Sequence, residues 1–242
     1  MDLWVALIGA VATVAVAVAG GLVTLYAPDW KARRDRRREV RELEARYSDS
    51  VLRSADALQS RFWNIEMQGF SEAYVLRGTD EERFHATTST LWLVGQYFCW
   101  VELLRRDAYS LALGGVERGR KFLSLLARIE ELFATDEFAD QRFRLWRAEQ
   151  SALGELMIVE RAGDHARRFD CLGYATFVDK LRDEQFKRWF VPLEDALTEV
   201  RIGDTAPRRL AHLQNALVDL VEFLYGSEVP GLERIDLDLR SL

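Results

Sequence analysis

Cysteine is scarce: Cys99 and Cys171 are the only two, too few for a disulfide framework. Four prolines and 15 glycines in 242 residues exclude a collagen-like or proline-rich chain. Lysine occurs only as Lys31, Lys121, Lys180 and Lys187, so nearly all of the 33 basic side chains are arginine. With abundant alanine and valine, this preference points to a GC-rich bacterial genome. Positive charge is not in excess either, because the formal net charge is −6. A polycation that coats nucleic acid is thereby excluded. No repeat of 20–50 residues is present, and no alternating run flanked by hairpin turns occurs in the body of the chain. An apolar share of 49% excludes a disordered chain.

Charge is absent altogether from Leu3 to Tyr26, a run of 24 residues. As a helix it would be about 36 Å long, enough to cross a hydrocarbon core of about 30 Å. Eleven of its residues are Val, Leu or Ile, each favouring insertion by about 0.3–0.6 kcal/mol near the centre of a span. Trp4 and Tyr26 stand at its ends, where amphipathic rings sit at the headgroup level. A cleaved signal peptide is the rival reading. It calls for a basic leader and an apolar run of about 7–15 residues, and only Met1 and Asp2 precede this one.

Trp30 follows, and then eight basic residues: Lys31, Arg33, Arg34, Arg36, Arg37, Arg38, Arg41 and Arg46. Four acidic residues, Asp35, Glu39, Glu42 and Glu44, are interspersed. The positive-inside rule then puts the N-terminus outside and the large C-terminal part in the cytoplasm of a bacterial cell. The same basic groups would meet anionic lipid headgroups at about 1 kcal/mol each. Gly9, Thr13, Ala17 and Gly21 recur every four residues, a small-residue ridge suited to self-association in the bilayer.

Beyond residue 46 the period is helical, so the expected fold is all-α. One transmembrane anchor (1–28) and a basic juxtamembrane segment (29–46) precede a bundle of six to eight helices (47–226) and a tail (227–242). Val40, Leu43, Tyr47, Val51, Ala55, Leu58, Phe62 and Ile65 step by three or four. They predict one long helix to about Leu76, ended by Gly78 in a left-handed cap. Thr79 and Glu82 have the spacing of a capping box for a second helix, about Asp80 to Leu113, with Phe84, Leu91, Val94, Phe98, Val101 and Leu104 inside. A third is expected over about Val116 to Ala134. A fourth, capped by Thr135-Asp136, should fade near Glu160. Ala162 to Asp170 is expected as a loop. Further helices are predicted over about Tyr174–Leu181, Asp183–Val200 and Pro207–Tyr225, the last ended by Gly226. In the tail Leu232, Ile235, Leu237 and Leu239 alternate with charge, as in a docked extended segment.

Chemical motifs are few. Glu82-x-x-His85 is a single helical Glu-x-x-His, whereas a di-iron bundle needs two, and His165 and His212 lack the glutamate. No metal and no cofactor is therefore expected. Gly114-Gly115-Val116-Glu117-Arg118-Gly119-Arg120-Lys121 has its lysine one position late for a phosphate loop and no Ser or Thr after it. Arg105-Arg106 and Arg208-Arg209 suit solvated helix faces. What stands out is polar residues inside apolar stretches. Gln96, Trp100 and Glu102 lie on the second helix, and Glu149, Gln150 and Glu155 on the fourth. If those faces meet, they line a polar pocket walled by tryptophan, where a buried carboxylate could do acid–base work. Inter-helix hydrogen bonding is the plainer role.

The expected function is a non-catalytic interaction, scaffold or sensor module at the inner face of the plasma membrane, with a second copy or another protein as partner and no nucleic acid. A helical enzyme or small-molecule sensor using the polar pocket is one alternative. A membrane-disrupting effector built on the small-residue ridge is another.

Overall fold

A computed structural model describes residues 47–107, 117–160, 169–200, 208–226 and 228–237. Helix α1 (47–67) buries Tyr47, Val51, Ala55, Leu58, Phe62 and Ile65 along one side, the stripe that the three-and-four spacing singles out. It does not run on to Leu76. The Gln68 N–H still bonds to Asn64 O, but Gly69 then turns left-handed (φ 62°). Ser71–Leu76 forms a π-helical turn, closed by Arg77 N–H on Glu72 O at 3.0 Å. Gly78 is not left-handed. A Cβ there would lie 2.4 Å from Tyr74 O, so close backbone approach is what requires glycine.

Helix α2 (Asp80–Asp107) starts as expected. Glu82 Oε2 accepts from Thr79 N–H at 2.8 Å, and Glu82 N–H donates to Thr79 Oγ1 at 3.2 Å, a reciprocal capping box. Leu91, Val94, Phe98, Val101 and Leu104 are buried, but Phe84 is 48% exposed, its ring edge-on to His85.

Helix α3 (Glu117–Ala134) buries Phe122, Leu125, Leu126, Ile129 and Phe133. The fourth long helix starts later than expected, as α4 (Arg147–Met157). Thr135 Oγ1 accepts from Glu137 N–H and Asp140 Oδ1 from Arg142 N–H, so both hydroxyl and carboxylate hold turns instead of a helix start. Phe143 then adopts φ 60°, an uncommon conformation for a side chain of its size. Its buried ring sits edge-on to Phe62 at 6.3 Å, which fixes it in place.

Past α4 the chain forms a ribbon where the sequence predicts a helix end and a loop. Strands β1 (Ile158–Glu160) and β2 (Phe169–Cys171) pair antiparallel, Ile158 opposite Cys171. Trp92 Nε1 donates to Leu172 O at 2.9 Å, tying the ribbon to α2. Helices α5 (Tyr174–Lys180), α6 (Glu184–Lys187) and α7 (Val191–Glu199) follow, so the predicted Asp183–Val200 helix is broken in two. Phe177, Phe186 and Phe190 pack as a triangle with ring centroids 5.1–5.7 Å apart and hold that bend. Helix α8 (Arg208–Tyr225) packs on α3, with Phe122 and Phe223 stacked at 6.2 Å, and ends at left-handed Gly226.

The tail docks, as its alternation suggests. Ile235 is buried, its N–H donating to Asn215 Oδ1 (3.0 Å) and its C=O accepting from Asn215 Nδ2 (2.9 Å). Arg234 clamps it to Asp219 and Glu222 on α8. Arg209 departs from the solvated-face reading. It is fully buried and donates to Leu132 O, Phe133 O and Thr135 O at 2.6–3.1 Å, capping the last carbonyls of α3.

Nine helical segments, counting the π turn, thus stand among the described residues, more than predicted because Gly69 and the 188–190 bend interrupt two long helices. One core unites them. No helix among the described residues is long and apolar enough to cross a membrane. The expected span, with Trp4, Tyr26, Trp30 and the basic residues Lys31 to Arg46, lies outside the described residues, as do residues 161–168 and 114–116; the rest of the 114–121 segment is the start of α3.

Candidate functional site

Helices α2 and α4 do meet, and glycine is the reason they meet closely. A Cβ on Gly154 would lie 2.6 Å from Phe98 O and 2.8 Å from Glu102 Cβ. One on Gly95 would lie 3.1 Å from Met157 Cγ. The crossing brings together two of the six expected pocket residues. Glu102 and Gln150, with Arg105, Glu130, Arg147 and Ser151, line a cavity of about 60 Å³. That is room for about two waters, where small-molecule sites span about 300–1,000 Å³.

Their polar groups bind one another. Glu102 is buried, and its carboxylate accepts from Arg105 Nη2 at 2.5 Å and Arg106 Nε at 3.3 Å. Arg105 Nη2 also donates to Ser151 Oγ, and Arg147 pairs with Glu130 at 3.2 Å and with Glu131. Gln150 Nε2 donates to Glu130 O and Leu145 O, both at 2.9 Å. Burial pushes the Glu130 carboxyl up, Arg147 and Arg105 pull it back, and Glu102 pushes it up again. Burial raises the Tyr97 phenol well above its ordinary value, and the charge of Glu130 adds to this. Guanidinium and carboxylate are thus interleaved across α2, α3 and α4. The arrangement locks three helices.

The other four expected residues do not line the cavity. Glu149 Oε2 accepts from Trp146 N–H at 2.6 Å and so closes the start of α4. Its position three residues after the cap is the sequence signal for that role. Glu155 is exposed and 3.8 Å from Arg106. Trp100 is buried in the core and Gln96 is half-buried.

No protein-family model matches the chain, and no curated protein or solved structure is similar to it.

A larger opening lies elsewhere, between α1, the π turn and the first half of α2. It is a groove of about 370 Å³, with Arg61 at its base, Phe70 and Tyr74 on one wall, and Glu81, Glu82, His85 and Ser89 on the other. The π turn builds it, because the wider turn swings Phe70 and Tyr74 onto one side with ring centroids 5.3 Å apart. Such turns recur at functional sites. Arg61 Nη1 donates to Thr90 Oγ1 (2.6 Å), Ser89 Oγ (3.2 Å) and Ala86 O (3.4 Å), and the guanidinium lies 4.1 Å over the Phe70 ring. Burial lowers its pKa, while the nearby Tyr174 raises it. Tyr174 OH is 2.8 Å from Thr88 Oγ1 and 3.4 Å from His85 Nδ1. The sequence reading missed this site. Sequence spacing presents His85 as a metal ligand or a solvated helix-start residue, and no group of three or more metal-binding side chains gathers among the described residues.

Proposed function

We propose that the protein is a non-catalytic interaction, scaffold or sensor module, anchored by one N-terminal helix at the inner face of a bacterial plasma membrane. The observation that carries this reading is the 24-residue uncharged run from Leu3 to Tyr26, followed at once by eight basic residues from Lys31 to Arg46. Trp4, Tyr26 and Trp30 sit at the interfaces, and Arg33, Arg34, Arg36, Arg37 and Arg38 face anionic headgroups. The bundle supports the non-catalytic part. Its most conspicuous polar residues, Glu102 and Gln150, are engaged with arginines and backbone carbonyls around a space too small for a substrate.

Alkaline carbonate extraction of the full chain from a bacterial host tests the anchor. The protein should stay with the membrane pellet, and a reporter fused after Leu242 should be active only in the cytoplasm. Arginines in place of Val11 and Val14 cost about 3 kcal/mol each at the centre of a span, which offsets most of the insertion energy, so that variant should move to the supernatant. Release of the unaltered chain by carbonate, or a reporter active outside the cell, would overturn the reading.

A further inference from the structure

Arg61 is a half-buried cation that forms no ion pair among the described residues. Its hydrogen bonds all leave from Nη1, and all go to neutral oxygens. Among the described residues Nε and Nη2 make no hydrogen bond, and neither is sealed from solvent. Arg61 lines the groove of about 370 Å³. Two parallel N–H groups in that arrangement match the two oxygens of a carboxylate. The aromatic wall, Phe70 and Tyr74, offers a flat apolar surface next to them.

The acidic side of the groove narrows the choice. Glu82 is turned to its cap, accepting from Thr79 N–H and Oγ1, and Glu81 is exposed at the rim. Two rim carboxylates repel a phosphate dianion about twice as strongly as a single negative charge in the same place. We propose that the groove binds a small aromatic monocarboxylate, its carboxylate on the Nε/Nη2 edge of Arg61 and its ring against Phe70 and Tyr74. The site does not depend on how the chain is anchored.

The test is ligand-observed saturation-transfer NMR and calorimetry on the full chain in mild detergent, with indole-3-acetate as probe. A ligand of this size should bind with a Kd of about 1 mM. Tryptamine, which carries an ammonium in place of the carboxylate, should not bind. Arg61→Gln should weaken binding at least about tenfold, the loss of a charge-assisted bidentate contact. Arg61 also ties α1 to α2, so Tyr74→Ala is the second variant. Tyr74 is 46% exposed, so the fold tolerates its removal, and the ring contact should vanish with several-fold weaker binding. Equal binding of tryptamine, no binding of indole-3-acetate at millimolar concentration, or affinity untouched by Tyr74→Ala in a folded protein would each overturn the proposal.

Discussion

Adding one methyl group at the α2–α4 crossing should have opposite effects at its two glycines, Gly154 and Gly95. In a helix interior Gly→Ala gains about 1 kcal/mol from backbone entropy. At Gly154 the new Cβ would sit 2.6 Å from Phe98 O and 3.1 Å from Phe98 C, backbone atoms of a packed helix that no rotamer change can move. Overpacking of that kind costs about 1–3 kcal/mol, and a backbone clash belongs at the upper end. Gly154→Ala should therefore lose about 2 kcal/mol net, a fall in Tm of about 4–8 °C for a domain of this size. The same substitution at Gly95 meets only the Met157 side chain, at 3.1–3.3 Å. Methionine is unbranched and gives way readily, so Gly95→Ala should range from neutral to about 1 kcal/mol more stable. Thermal and urea unfolding of the full chain, followed by circular dichroism at 222 nm, reads both. If Gly154→Ala is as stable as the parent, or if the two variants fall together, the close crossing is not what these glycines serve.

Arg209→Met removes the donor to three α3 carbonyls and should cost about 3 kcal/mol in urea unfolding, with Arg209→Lys recovering only part, whereas a loss under about 0.5 kcal/mol would mean the carbonyls find other partners. Burial pushes the Asp140 carboxyl up, but hydrogen bonds from the Arg142 side chain and N–H and the charges of Arg142 and Arg209 outweigh it and hold the pKa below the usual range. A depressed folded pKa gives stability that is present above the unfolded value of about 3.9 and lost as pH falls through the folded one. Asp140→Asn should thus be destabilising at pH 7, and the gap should close in strong acid; a gap that widens on acidification refutes the sign. Hydrogen bonding to Cys171 and then burial push the Cys99 thiol up, so a maleimide should label Cys171 alone in the folded chain and both thiols in urea. Equal labelling of the two in the folded state would contradict the burial of Cys99.

Periodicity carried the helical class because it is a property of side chains alone. The α1 and α3 stripes are uninterrupted, and their buried residues can be read off the spacing. The breaks depend on backbone geometry instead. Gly69 takes a left-handed turn within the helix expected to reach Leu76, and glycine inside a helical pattern does not announce that choice. Phe143 holds the same conformation although it carries a bulky side chain. What fixes it is the ring contact with Phe62, 81 residues earlier. Strands of three residues, as in β1 and β2, are too short to show alternation. Gly95 and Gly154 give no signal along their own helices, since the reason for them is a neighbouring helix.

The same distinction separates the two polar sites. Residue type in an apolar stretch announces a buried polar group, and Glu102 and Gln150 are such groups. Whether such a group is structural or available depends on its partners, which the sequence does not align. Around Glu102 the charges balance: three carboxylates, Glu102, Glu130 and Glu131, lie among Arg105, Arg106 and Arg147, and the cavity left over is small. Arg61 gives no signal of its own, being one of two arginines in a mixed-charge helix. Its partners, Ala86, Ser89 and Thr90, are neutral and 25–29 residues away. A half-buried charge met only by neutral dipoles on one edge retains most of its field on the other. That asymmetry, and not the number of polar residues in either place, is why the groove beside the π turn is the stronger candidate for a ligand and the α2–α4 crossing for a clamp.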